Sequence, residues 1–75
     1  MLTFKLINLE NGFYHYEIYP EGNINDKGWI IFNPETKKLK ERVSPKGPFS
    51  YINHFLSGVK DKNGNYKKEG VVAWH

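Results

Sequence analysis

Three histidines are the residues of this sequence best suited to bind a metal ion or to transfer protons. They are His15, His54 and His75, which fall on three different predicted elements, and the chain contains no cysteine. A zinc site would require all three imidazoles to converge on one point, and no pair of them has the four-residue spacing of ligands on one helix. We therefore predict no metal site and no cofactor.

Two further patterns resemble known motifs, but each is incomplete. Residues 61–65 place oxygen ligands at the first, third and fifth positions of a calcium loop, yet Tyr66 stands where glycine is needed and Val72 where glutamate is needed. Ser57 and Lys60 have the spacing of penicillin-recognising enzymes without the companion motifs. We therefore predict no catalytic residue and no enzyme activity.

A basic segment, residues 37–46, offers the chemistry of phosphate binding. Lys38, Lys40 and Arg42 alternate with other residues, so a strand here is predicted to carry three cations on one face. Together with an aromatic neighbour, such a strand could bind single-stranded nucleic acid weakly and without sequence preference. Lysine-rich alternation is also the usual protection of an edge strand, and we keep nucleic-acid binding as the alternative function.

Aromatic residues make up 16% of the chain and are the other candidates for binding a partner. Phe4, Phe13, Tyr19 and Trp29 are predicted to alternate onto the sheet face that the helix does not cover. An exposed aromatic face on a small domain is typical of a docking surface. We therefore predict a non-catalytic protein-interaction module that acts through this face or through a sheet edge, on an unknown protein partner or on a second copy in a two-fold dimer.

A sheet must position these side chains. Alternating apolar residues at 2–6, the hairpin signal Asn11-Gly12 and the β-rich run 13–19 predict two antiparallel strands. A two-residue turn would place Leu9 opposite Tyr14 and Ile7 opposite Tyr16, unless a bulge intervenes. Further strands are predicted at 29–32 and 38–43.

One helix and a last strand complete the pattern. Pro48 suits the first turn of a helix, and a single apolar stripe follows it, formed by Phe49, Ile52, Phe55, Leu56 and Val59. Residues 70–74 read as a closing strand. The sequence thus predicts a small two-layer α+β domain over residues 1–75, with a mainly antiparallel sheet in the order β-β-β-β-α-β and one helix packed on one face.

The charges divide unevenly along the chain. Residues 1–36 carry two basic and five acidic side chains, whereas residues 37–75 carry nine basic and three acidic ones. The folded molecule could have an acidic and a basic face, or the charges could intermix. No apolar run is long enough for a membrane helix and no signal-peptide pattern is evident, so we predict a cytoplasmic protein without membrane contact.

The chain contains the segment Tyr14-His15-Tyr16-Glu17-Ile18-Tyr19-Pro20-Glu21-Gly22-Asn23, together with Lys27-Gly28 and Val71-Val72-Ala73-Trp74. It is similar to a group of short uncharacterised bacterial proteins of low-GC Gram-positive bacteria and their mobile elements. The group has no assigned activity, so the resemblance implies a bacterial, cytoplasmic, single-domain protein and assigns no role to any residue.

Overall fold

The hairpin predicted at Asn11-Gly12 joins strands β1 (Leu2–Glu10) and β2 (Phe13–Pro20) in a computed structural model, which describes residues 1–47 and 50–73. Both turn residues have positive φ, 54° for Asn11 and 82° for Gly12. Two-residue turns of this kind match the twist of the strands they join, and asparagine and glycine tolerate the left-handed conformation.

A bulge in β1 sets the register of this hairpin. Leu9 lies opposite Tyr14 as predicted, but the pairing shifts between Leu6 and Asn8, so that Leu6 rather than Ile7 lies opposite Tyr16. The extra residue moves the first half of β1 by one position, which places Phe4 on the helix side. Phe4 is therefore buried, and its predicted place on the opposite face is wrong.

A short 3₁₀ helix (Ile24–Asp26) follows β2. Three more strands and one α-helix complete the described fold: β3 (Gly28–Asn33), β4 (Lys38–Val43), α1 (Tyr51–Gly58) and β5 (Glu69–Val72). The strands form one antiparallel sheet in the order β4-β3-β2-β1-β5. This confirms the predicted α+β architecture and element order. The predicted strand residue Trp74 lies outside the described residues.

Helix α1 packs on one face of the sheet, over β1, β2 and β5. Ile52, Phe55 and Val59 are buried, as the apolar stripe predicts. Leu56 belongs to the same stripe but remains 44% exposed, because the helix does not extend over β3 and β4. The stripe residue Phe49 and the predicted helix start at Pro48 lie outside the described residues.

The core lies between this helix and the β1–β2 hairpin. Phe55 is fully buried, with its ring centroid 5.2 Å from that of Phe4 and 4.9 Å from that of Tyr16. Rings at these separations contribute about 0.5–1.5 kcal/mol per pair beyond their burial. The contacts among Phe4, Tyr16 and Phe55 thus lie at the centre of a described core that contains both aromatic and aliphatic side chains.

Candidate binding groove between strand β4 and the helix

The predicted interaction residues Phe13, Tyr19 and Trp29 lie on the sheet face opposite the helix, as predicted, and each is half-buried. Their polar and π surfaces already have partners within the sheet. The Tyr19 hydroxyl donates a 2.7 Å hydrogen bond to Glu17, and the Trp29 indole N–H donates one of 2.7 Å to Glu41. Lys40 lies over the Phe13 ring, with its Nζ 5.7 Å from the centroid. This face is an internally hydrogen-bonded, mixed polar and aromatic surface.

Carboxylates lie on the same face, together with the lysines Lys5, Lys27 and Lys40. Glu17 accepts hydrogen bonds from Lys27 Nζ at 2.9 Å and from Tyr19, and these bonds, the lysine's first, lower the pKa of its carboxyl. Burial, together with Glu17, raises the pKa of Tyr19 to about 12. The strand register places three further carboxylates, Glu10, Glu41 and Glu69, on this side of the sheet.

The helix-bearing face leaves one cross-strand row uncovered. Leu9, Tyr14, Phe32 and Leu39 lie opposite one another across β1, β2, β3 and β4. The two leucines at the ends of the row are 52% and 54% exposed, whereas the two rings between them are half-buried. Because the helix stops short of β3 and β4, the Leu39 end of this row forms one wall of a groove.

This groove, between β4 and α1, has a volume of about 410 Å³. Ile30 and Phe32 form its floor, Leu39 lies on the strand side and Leu56 on the helix side. Tyr66 also lines it, with its ring 5.8 Å from that of Phe32 in a T-shaped arrangement. Clefts that hold small ligands or anchoring side chains have about this volume and a mainly apolar lining.

Cations surround the apolar lining of the groove. Lys37, Lys38, Arg42 and Lys60 all line it, and none of its described lining residues is acidic. Lys60 Nζ also lies 5.2 Å from the centroid of the Tyr66 ring, within cation–π distance. The groove therefore combines exposed leucines with an uncompensated positive charge.

A bulge in β4 decides which cations reach the groove. The pairing with β3 shifts between Ile31 and Phe32, so that Arg42 lies opposite Ile30 on the groove side, whereas Lys40 lies near Phe13 on the other face. The prediction that Lys38, Lys40 and Arg42 share one face is therefore wrong. Lys38 and Arg42 line the groove, and Lys40 does not.

The segment after the helix holds Tyr66 in place. Lys60 pairs with Tyr66 in an isolated antiparallel bridge, and between them the Asp61 carboxylate accepts hydrogen bonds from the N–H groups of Asn63 and Asn65 at 2.8 and 3.0 Å. The segment that begins like a calcium loop is thus a turn closed by its own aspartate.

A long-range hydrogen bond fixes the far end of this segment. The buried Tyr16 hydroxyl donates to the Lys67 carbonyl at 2.6 Å, and burial raises the pKa of Tyr16 to about 12. Lys67, which follows Tyr66, is therefore hydrogen-bonded directly to a core side chain.

Sequence reasoning missed Leu56, Lys60 and Tyr66 as site residues. Leu56 belongs to a stripe that predicted burial, and Tyr66 is an isolated ring in a polar segment. Lys60, Lys62, Lys67 and Lys68 form a second basic stretch in the sequence, and this stretch is the one sequence signal for this part of the groove.

Comparison of the chain with protein-family models, with curated proteins and with solved structures finds no match in any of the three. The resemblance to short bacterial proteins therefore stays a prediction. Within residues 1–47 and 50–73, no three His, Asp or Glu side chains are placed to hold a metal ion, and no helix there is long and apolar enough to cross a bilayer.

Proposed function

We propose that this chain is a non-catalytic protein-interaction module that binds a peptide segment of a partner in the groove between β4 and α1. The observation that carries the proposal is the contiguous apolar lining at the sheet edge, where Leu39 and Leu56 are 54% and 44% exposed on either side of a cleft of about 410 Å³. An isolated exposed leucine is ordinary, but two that face each other across a cleft with an apolar floor form a docking surface.

The groove is a better candidate than the predicted aromatic face. Tyr19 and Trp29 already donate hydrogen bonds to Glu17 and Glu41, so a partner would have to replace those bonds to use their polar ends. A partner that enters the groove would displace water from the exposed leucines and from the exposed cations beside them. A cytoplasmic location, predicted from the sequence, belongs to the same proposal.

Selection from a random peptide display library on the immobilised protein tests the proposal. We expect the enriched peptides to bind Leu39→Ser and Leu56→Ser at least tenfold more weakly than the native protein, since losing the burial of one leucine side chain costs about 1.5 kcal/mol or more. Val71→Ser is the matched control, because Val71 is 57% exposed on the other sheet face. Equal affinities for all three variants, or no enriched peptide, would refute the groove as the binding site.

Weak binding of single-stranded nucleic acid is the second candidate, supported by the groove's four cations, among them the predicted Lys38 and Arg42. Affinity for labelled single-stranded DNA or RNA should then fall steeply as salt concentration rises. The absence of binding at low salt would eliminate it. Self-association as a two-fold dimer also stays a prediction, which sedimentation velocity tests directly.

A further inference from the structure

The charge of the groove restricts the chemistry of its occupant. Lys37, Lys38, Arg42 and Lys60 line the cleft, and no described acidic residue lines it to neutralise them. Complementary potentials accelerate association and exclude partners of like charge. A peptide that carries carboxylates would therefore be favoured over a neutral or basic one.

Cations lie close to the apolar groups on both sides of the groove. On the strand side Arg42 lies opposite Ile30, on the same sheet face as Leu39, and Lys38 also lines the groove. On the helix side Lys60 lies two residues after the end of α1, in the bridge with Tyr66, and lines the groove together with Leu56. An occupant that buries its apolar side chains against these leucines would bring any neighbouring carboxylates beside the lysines.

The opposite sheet face does not offer the same charge. It carries the strand carboxylates of Glu10, Glu17, Glu41 and Glu69 beside the lysines Lys5, Lys27 and Lys40, so it has no excess of positive charge for an acidic segment. The two faces of the sheet thus differ in charge in the direction that guides an anionic partner to the groove.

The form of the lining favours a peptide over a nucleic acid. Single-stranded nucleic acids gain affinity by stacking bases on accessible aromatic faces. The two rings of the groove, Phe32 and Tyr66, are half-buried and contact each other, and Phe32 also contacts Tyr14 and Tyr16. The exposed apolar side chains of the groove are leucines. Leucines offer apolar contact to side chains and no face on which a base can stack.

We infer that the groove recognises an acidic peptide segment in which carboxylates flank large apolar side chains. The inference rests on the proposed function and names its partner class. Arg42 and Lys60 pair with the carboxylates, while Leu39 and Leu56 receive the apolar anchors.

The β4 bulge supplies a matched pair of variants. Arg42→Glu and Lys40→Glu make the same change in net charge two residues apart on one strand, but Arg42 lines the groove and Lys40 lies on the opposite face. Both side chains are exposed, so equal thermal stability of the two variants is the check that folding is unchanged.

The probes are labelled short peptides measured by fluorescence polarisation: one with glutamates flanking two leucines, one with each glutamate replaced by glutamine, and one with each leucine replaced by serine. We expect the first to bind at least tenfold more tightly than the other two. Arg42→Glu should weaken its binding about tenfold and Lys40→Glu less than twofold, and neither should change the affinity of the glutamine peptide.

Other outcomes overturn the inference in distinguishable ways. If peptides from the random library bind in a Leu56-dependent manner but carry no acidic residues, or if Arg42→Glu and Lys40→Glu have equal effects, the partner class is wrong and the proposed function stands. If no peptide binding depends on Leu39 or Leu56, both are wrong. Tighter, Arg42-dependent binding of oligothymidine or of anionic phospholipid vesicles would assign the groove to nucleic acid or to a membrane surface instead.

Discussion

The hydroxyl of Tyr16 makes a sharply testable contribution to stability, because it joins the core to the segment that carries Tyr66. It is fully buried and donates its hydrogen bond to the Lys67 carbonyl, 51 positions along the chain. Tyr16→Phe removes the hydroxyl and preserves the ring contacts with Phe4 and Phe55. Near neutral pH we expect the free energy of unfolding to fall by about 1 kcal/mol, the net value of a typical hydrogen bond.

The pH dependence of this difference is the stronger test. Burial raises the pKa of Tyr16 from 10.0 to about 12 in the folded protein, so above pH 10 the unfolded chain loses this proton while the folded protein retains it. The contribution of Tyr16 is therefore complete below pH 10 and decreases as pH rises toward 12. Two pKa units at about 1.36 kcal/mol each give a maximum loss of roughly 2.7 kcal/mol. This loss exceeds the neutral-pH advantage, so the native protein and Tyr16→Phe should be equally stable at about pH 11.

Urea denaturation followed by tryptophan fluorescence, at a series of pH values from neutral to strongly alkaline, measures this crossing. The difference between the two proteins at each pH isolates the contribution of the Tyr16 hydroxyl and of its interactions. Tyr14→Phe is the matched control, because the Tyr14 hydroxyl lies two residues away on the same face and donates no hydrogen bond to the described residues. A difference between the native protein and Tyr16→Phe that stays constant across this pH range would refute the reasoning.

Three further predictions concern backbone contact, turn structure and the opposite face. Gly28→Ala should lower the free energy of unfolding by about 1–3 kcal/mol in urea denaturation, because a Cβ there would overlap the Val43 carbonyl oxygen and the Pro45 ring. An unchanged midpoint would contradict that contact. Asn33→Ala should cost about 1–2 kcal/mol in the same assay, since the buried Asn33 carboxamide oxygen accepts two backbone hydrogen bonds in the turn before β4. Trp29→Phe should leave the affinity of groove-binding peptides within twofold in fluorescence polarisation, and a larger loss would move the binding site to the opposite sheet face.

The elements with strong local signals could be predicted from the sequence. Asn11-Gly12 specified the hairpin because few residues tolerate positive φ at both turn positions. The helical spacing of Ile52, Phe55 and Val59 specified the buried side of α1. In each case the decisive interaction lies within a few residues along the chain.

The candidate site could not be predicted in the same way, because tertiary packing determines it. Leu56 has the spacing of a core residue, and it is exposed because α1 is laid over β1, β2 and β5 rather than over β3 and β4. Tyr66 reaches the groove through the bridge with Lys60 and through a hydrogen bond from Tyr16 to the next residue. No local pattern encodes either contact.

The β4 bulge shows how one inserted residue can define a binding surface. Regular pairing continued from Leu39 opposite Phe32 would set Glu41 opposite Ile30, on the groove side, and turn Arg42 to the other face. The observed shift reverses both positions: Arg42 lies opposite Ile30 and lines the groove, and Glu41 lies opposite Ile31, where it accepts the hydrogen bond from Trp29. A one-residue shift exchanges the faces of every following side chain in a strand. The bulge therefore removes a carboxylate from the groove and adds a guanidinium, and the positive charge on which the proposed partner class depends follows from this irregularity in the sheet.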